Sequence, residues 1–269
     1  MGKKKVLYIS SEIFPFVKES EISTTCSKLL TSMQEAGHEI RTFMPKWGPI
    51  NERRNQLHEV IRLSGMNLII DDTDHPLLIK VASLPAARLQ VYFIDNEDYF
   101  QNHLFTNDRD GSEYPDNDER TIFFARGVLE TVKKLRWNPD VIHCFGWMSA
   151  LIPIYLKTGF KDEPTFRDSK IVLSLCDEGF TTPLNDRYNE KLLVRNMTTG
   201  DIGTFSAPFG FEELMKKSID FSDAVVKHSR NADKDLYQYA GKQKKARIDC
   251  SCGTDTNEKL EAFYDSLFQ

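Results

Sequence analysis

The sequence predicts a doubly wound α/β domain built on a mostly parallel sheet. Short apolar runs alternate with amphipathic segments almost throughout, and the runs that resemble strands are apolar at nearly every position. Such strands are typical of a parallel sheet covered by helices on both faces. With 269 residues, 40% of them hydrophobic, the chain is large enough for a domain with a proper core. Ligands of these sheets bind at the carboxyl ends of the strands.

The strands are predicted from short apolar runs that end at polar residues or prolines. Pro45 closes the second run, and Pro139-Asp140 leads into a later one. A hairpin is expected over Val60–Val81, with "DDTD" as its turn. The other predicted strands are Val6–Ser10, Ile40–Met44, Leu89–Ile94, Val141–Phe145, Ile171–Leu175, Ala224–Val226 and Ala246–Ile248.

The helices are predicted where apolar residues recur at helical spacing. Gly37 stands where a helix terminator belongs, after the first of them. The predicted helices are Thr24–Ala36, Asn117–Leu135, Met148–Leu156, Phe211–Phe221, Ala232–Tyr239 and Glu258–Phe268. Residues 1–245 are expected to form the lobe, and residues 246–269 a strand and helix that close the same domain. The last helix carries the apolar stripe Leu260, Phe263, Leu267 and Phe268, which predicts docking on the lobe or an interface.

Composition excludes several classes of protein. The net charge is −5 and the basic residues are dispersed, so the sequence predicts no nucleic-acid surface. No stretch approaches the roughly 20 apolar residues that span a bilayer, and the N-terminal apolar run is too short for a signal peptide. The five cysteines form no disulfide framework or zinc pattern. We therefore expect a cytoplasmic protein without membrane contact, metal or cofactor.

Several segments, in order, resemble the opening half of bacterial glycogen and starch synthases. They are "KVLYISSEIFPFVK" (Lys5–Lys18), "LLTSMQEAGHEIRTFMPKWG" (Leu29–Gly48), "VYFIDNEDYF" (Val91–Phe100), "YPDNDERTIFFARGVLE" (Tyr114–Glu130), "NPDVIHCFGWMSALIPIYLK" (Asn138–Lys157) and "DAVVKHS" (Asp223–Ser229). The resemblance covers the chain up to about residue 230. It implies one Rossmann-like lobe of the two-lobed GT-B architecture. It also implies the family reaction, the transfer of glucose from ADP-glucose to an α-1,4-glucan. Because only about forty residues follow the last matching strand, we expect the second lobe, which holds most of the donor nucleotide, to be missing.

The first departure from the family lies before the first helix. The family's loop reads Lys-Thr-Gly-Gly-Leu, with its glycines against the donor phosphates. Here Lys18 is kept, but Glu19, Ser20 and Glu21 follow it. These side chains fill space that bare backbone would need, and the acids repel a phosphate. The resemblance gives these four residues as the substrate-binding positions, and the sequence predicts that the phosphate site is lost. The alternative is that the two acids are simply favourable first-turn residues.

Two further family motifs are altered at strand ends. The family's His-Asp-Trp is here Phe145-Gly146-Trp147, and the histidine–asparagine pair after the next strand is Cys176-Asp177. These are the degenerate catalytic positions, and they forfeit polar contacts to the sugar. His143 and Trp147 are retained, which makes them candidate substrate contacts. His143 alone is more typical of a packed strand residue.

Other chemistry is weighed and set aside. A Cys176–His143 nucleophile pair is conceivable if their strands are neighbours, but the acids beside Cys176 disfavour a thiolate. The cluster Asp71, Asp72, Asp74 and His75 could hold a metal, although it resembles a hairpin turn. Trp47 and the aromatic residues of Tyr92–Phe105 could stack on sugars, although core packing accounts for most of them.

Two functions therefore stay open. The first is a glycogen synthase-like glucosyltransferase lobe, inactive by itself, with weak or lost contact to ADP-glucose or an α-glucan. The second is a noncatalytic descendant that binds a glucan, a partner protein or a second copy of itself.

Overall fold

A computed structural model describes residues 2–195, 197–251 and 256–269, so Cys252 lies outside the described part. The described residues form a ten-stranded sheet in the order β10-β9-β8-β7-β1-β2-β6-β5-β3, with β4 paired to β5. The strands are β1 Lys5–Ser10, β2 Glu39–Pro45, β3 His58–Glu59, β4 Met66–Ile70, β5 Thr73–Leu84, β6 Leu89–Asp95, β7 Val141–Phe145, β8 Lys170–Leu175, β9 Ala224–Lys227 and β10 Ala246–Asp249.

From β10 to β6 every neighbouring pair of strands is parallel, whereas β3, β4 and β6 run antiparallel to β5. The central strands β1, β7 and β8 are apolar along their length because both faces of the sheet are covered. The predicted mostly parallel α/β fold is confirmed. Its switch point lies between β1 and β7, where the strand order reverses.

Eight α-helices are described along the chain. They are α1 Glu21–Glu35, α2 Asn117–Lys134, α3 Leu151–Lys157, α4 Tyr188–Lys191, α5 Thr199–Ile202, α6 Phe211–Phe221, α7 Lys234–Lys242 and α8 Thr256–Ser266. Among the described residues, none of these helices has the length and apolar character needed to cross a membrane.

The structure differs from the predicted elements at several points, including the π-helix Glu97–Gln101, and three others are instructive. The first helix begins at Glu21 rather than at Thr24, because Ser20 caps it. The single helix expected over Met148–Leu156 is a 3₁₀ turn followed by α3. The short helices α4 and α5 lie in a stretch for which the sequence predicted no element, since four-residue helices carry too little periodicity to detect.

The C-terminal helix α8 docks on the lobe against α1, as one of the two readings of its apolar stripe predicted. Leu260 is fully buried, whereas Phe268 is 45% exposed, so the stripe is only partly the contact surface. Tyr264 was not part of the predicted stripe, yet its side chain is also fully buried. At the rim, His38 Nε2 lies 3.2 Å from a carboxylate oxygen of Glu261. The division of the chain at residue 245 stays a prediction.

Tyr264 enters a buried hydrogen-bonded group that we call the Tyr264 network, composed of Tyr8, His143, Ser174 and Tyr264. The Tyr264 hydroxyl lies 3.0 Å from the Tyr8 hydroxyl and 2.5 Å from His143 Nδ1. His143 Nε2 lies 2.6 Å from Ser174 Oγ. These bonds join α8 to three adjacent strands and give the buried polar atoms partners, which lowers the cost of burying them.

Candidate functional site

The carboxyl ends of β1, β7 and β8 meet the amino end of α1 around a cavity of about 210 Å³, which we call the acidic cavity. Four carboxyl groups line it, from Glu12, Glu21, Asp177 and Glu178. Its aromatic lining consists of Trp47, Phe105 and Trp147. Among the described residues that line it, none is lysine, arginine or histidine. A volume below the roughly 300–1,000 Å³ of drug-sized pockets suits one small polar ring.

Ser20 closes the amino end of α1 at the wall of this cavity. Its extended backbone, with φ −136° and ψ 169°, makes it the N-cap, and its Oγ accepts a hydrogen bond from the Ser23 amide at 3.0 Å. The Ser20 amide donates to Ser23 Oγ at 2.9 Å, which completes a capping box. The Ser20 hydroxyl also donates to the Glu12 carboxylate. Side chains therefore occupy the position where a glycine loop would leave backbone bare.

The charges around this helix end are unfavourable for a phosphate. Glu19 and Glu21 are exposed, and Lys18 lines a neighbouring groove rather than the acidic cavity. A phosphate in the cavity would meet carboxyl groups and no cation. Each ionised carboxylate about 4 Å away would cost about 1 kcal/mol in water and about 4 kcal/mol at an effective dielectric of 20. This arrangement favours an uncharged ligand.

The end of β7 places its three motif residues in different environments. Phe145 is fully buried, and its ring stacks on those of His143 and His228 at centroid distances of 4.5 and 5.2 Å. It does not line the cavity, and its ring fills the core. That this position has lost a polar contact to the sugar stays a prediction. Gly146 has φ 81° and ψ 162°, a conformation open essentially to glycine. Trp147 does line the cavity, although only 4% of it is exposed.

His143 was a candidate substrate contact, and the structure places it inside the molecule. It is fully buried, and both ring nitrogens are engaged in the Tyr264 network. Burial, reinforced by nearby His228, holds the pKa of His143 well below its ordinary value, so the ring is neutral. Its role in this structure is to anchor α8.

Cys176 and Asp177 follow β8 and, like the residues at the end of β7, lie in different environments. Cys176 is buried, and burial together with the nearby carboxyl of Glu178 raises the pKa of its thiol well above the ordinary value. The strands of His143 and Cys176 are neighbours, as the nucleophile hypothesis required, but the nitrogens of His143 bond Tyr264 and Ser174 instead. A thiolate nucleophile at Cys176 is therefore not supported. Asp177 is exposed at the cavity rim and accepts a hydrogen bond from Asn231 at 3.1 Å.

A longer groove of about 980 Å³ adjoins the acidic cavity, and the two share Glu12 and Phe105. Its polar lining is mostly of amides and the two cations Lys18 and Arg54. Pro15, Phe16 and Ile50 supply apolar surface. The groove therefore extends the cavity with surface that can accept and donate hydrogen bonds along an elongated ligand.

The acidic string at the hairpin forms a turn. Asp71 and Asp72 take positive φ angles of 43° and 67° between β4 and β5, and Asp71 pairs with Arg187 at 2.8 Å. His75 Nε2 bonds the Tyr99 hydroxyl at 2.9 Å. These contacts match the turn interpretation of the string.

Sequence reasoning missed two of the carboxyl groups that line the acidic cavity, Glu12 and Glu178. Glu12 lay unremarked inside a quoted motif, and Glu178 was noted only as an acid beside Cys176. The signal that could have found both is their position directly after β1 and β8, two strands separated only by β7. Burial, with Glu12 as a further cause, raises the pKa of Glu178 to about 8.

The mostly parallel sheet, with a cavity at its switch point, defines a Rossmann-like α/β lobe. A family model described as "Starch synthase catalytic domain" matches residues 5–247. The chain therefore belongs to the starch synthase catalytic domain family.

Proteins named glycogen synthase are the relatives that resemble this chain. The one from Chlorobium luteolum is 41% identical over 195 residues, which is 72% of this chain and 40% of the relative. The one from Chlorobium phaeobacteroides is 42% identical over 197 residues, 73% of this chain and 40% of the relative. This chain thus spans about 40% of the length of the curated relatives it matches.

A solved structure also shares the fold. The catalytic domain of Starch Synthase IV from Arabidopsis thaliana, bound to ADP and acarbose, superposes with a TM-score of 0.74 at 18% identity. The match covers 96% of this chain and 53% of that one. At this identity the likeness shows the fold alone.

Proposed function

We propose that this chain is a glycogen synthase-like glucosyltransferase lobe that binds the α-glucan side of the reaction and contributes little to holding the donor phosphates. Membership of the family supports the reaction class, which is the transfer of glucose from ADP-glucose to an α-1,4-glucan. The complex of Starch Synthase IV with ADP and acarbose supports a nucleotide and a carbohydrate as the two ligands of this fold.

The observation that carries the proposal is the lining of the acidic cavity. Carboxyl groups and aromatic rings line it without a basic side chain among the described residues. Carboxylates accept hydrogen bonds from hydroxyl groups, and aromatic faces pack against the C–H surface of a sugar ring. Phosphates instead need cations or bare amides. The cavity is therefore suited to a neutral sugar.

The altered motifs limit what the lobe does by itself. Phe145 and Cys176 cannot replace the hydrogen bonds of the family's histidines, and Ser20 fills the amino end of α1. We expect no glucose transfer from ADP-glucose to glycogen by this chain alone. A cytoplasmic location is part of the proposal, supported by cysteines whose spacing forms no disulfide pattern.

Calorimetry with two ligands tests the proposal. We expect saturable binding of maltoheptaose and no saturable heat with ADP up to about 1 mM, a Kd that corresponds to about 4 kcal/mol. A micromolar Kd for ADP, or no binding of maltoheptaose, would contradict the proposal. Labelled glucose appearing in glycogen would contradict the expected lack of transfer.

A restored loop separates the effects on the two ligands. The triple variant Glu19→Thr, Ser20→Gly, Glu21→Gly removes the cap and both acids, so ADP affinity is expected to rise by only a few-fold. Maltoheptaose affinity is expected to fall, because Ser20 and Glu21 line the acidic cavity. Thermal melting of the same variant checks that the loss of the cap has not unfolded α1. A rise in both affinities would contradict the proposal that the cavity favours a neutral sugar over a phosphate.

A further inference from the structure

Gly146 lies next to the carboxyl group of Glu178, which is in the loop after the neighbouring strand β8. A β-carbon built at Gly146 would lie 2.9 Å from Glu178 Oε2 and 3.0 Å from Oε1. The backbone of Gly146, with φ 81°, also disfavours any other residue. Both observations disfavour a side chain at position 146 as long as the Glu178 carboxyl group stays in this place. The resemblance to the family places an aspartate at this position.

The backbone just after β7 holds the side chain of Glu178 in this place. It follows β8 by three residues, and its Oε1 accepts a hydrogen bond from the Trp147 amide at 2.7 Å. Among the described residues, Oε2 makes no hydrogen bond. Because Glu178 lines the acidic cavity, that oxygen is left available to a ligand there.

We propose that Glu178 supplies, from the loop after β8, the carboxyl group that the family's motif carries at position 146, and that its Oε2 hydrogen-bonds a hydroxyl group of a sugar bound in the acidic cavity. The sugar contact of Glu178 rests on the proposed function. The other half of the inference, which we call the exchange of space, is that the Glu178 carboxyl group occupies the space of a side chain at position 146, and this half does not rest on the proposed function. Glu178 is thus a binding residue that none of the altered motifs contains.

The raised pKa of Glu178 is compatible with this role. With a pKa of about 8, most of the carboxyl groups carry a proton at pH 7, and a neutral carboxyl both donates and accepts. Glutamine keeps the shape and one donor, so Glu178→Gln is the conservative variant. Asp162→Ala is the control, because Asp162 is an exposed carboxyl group that does not line the acidic cavity.

Calorimetry with maltoheptaose on these variants tests the binding role. We expect Glu178→Ala to weaken binding roughly tenfold or more, Glu178→Gln to stay within about threefold, and Asp162→Ala to stay within about twofold of the unaltered chain. A Glu178→Ala variant that binds as the unaltered chain does would overturn the role, and so would an equal loss in Asp162→Ala.

Thermal melting of Gly146→Ala in two backgrounds tests the exchange of space without any ligand. The drop in Tm is expected to be smaller in the Glu178→Ala background, because the clash is gone and only backbone strain is left. Equal drops would overturn the exchange while leaving the proposed function standing. If the exchange holds but the unaltered chain does not bind maltoheptaose, then the proposed function fails, and with it the sugar contact of Glu178.

Discussion

The acidic cavity and the Tyr264 network lie at successive positions along β7, and they use polar side chains in opposite ways. In the network, His143 and Tyr264 are fully buried and their polar atoms are bonded to other side chains. In the cavity, one oxygen of Glu178 has no hydrogen-bond partner among the described residues, and Asp177 is exposed. The difference teaches that a polar residue indicates binding only where its atoms are left unbonded at a surface.

The largest expected effect concerns the packing of α8. Leu260→Ala removes a fully buried side chain, so we expect a loss of about 2–5 kcal/mol in the free energy of unfolding, or very roughly 5–15 °C in Tm. Phe268→Ala is the control, since Phe268 is 45% exposed and its loss should shift Tm much less. Unchanged melting of Leu260→Ala, with a change of oligomeric state in size-exclusion chromatography, would show that α8 is an interface helix instead.

A smaller effect is expected from the network itself. Tyr264→Phe leaves the Tyr8 hydroxyl and His143 Nδ1 short of a buried partner, which costs about 1–3 kcal/mol by chemical denaturation. Tyr239→Phe removes a hydroxyl that donates to Asp220 at the surface and should cost less than about 1 kcal/mol. Similar losses of unfolding free energy in both variants would contradict the view that the buried hydrogen bonds of the Tyr264 network stabilise the fold more than a surface hydrogen bond does.

The smallest effect is a pH dependence at His228, which stacks on Phe145. Burial lowers the pKa of His228 to about 4, so the unfolded chain binds a proton more readily than the folded one below the ordinary value of about 6.5. Its contribution to stability is present above pH 6.5 and is lost as the pH falls toward 4. His228→Phe should therefore reduce the loss of stability between pH 7.5 and 6 by about 1 kcal/mol. An unchanged slope in denaturation at the two pH values would refute this assignment.

The fold was predictable because the spacing of apolar residues in the strands and amphipathic helices is visible in the sequence. The site was less so, and α1 illustrates why. The sequence reveals Ser20, Glu19 and Glu21 at a helix start, but not that the Ser20 hydroxyl reaches Glu12, since that bond depends on how the loop folds back on β1. Likewise His143 and Phe145 belong to a family motif in the sequence, yet both side chains are fully buried and do not line the cavity at the carboxyl end of the sheet.

The pairing of Gly146 with Glu178 also bears on how such a chain can change by mutation. A single substitution that returned a side chain to position 146 would meet both the carboxyl group above it and a backbone that only glycine adopts with ease. A substitution at 178 first empties that space. A side chain at position 146 is therefore accommodated more easily once Glu178 has been replaced by a smaller residue.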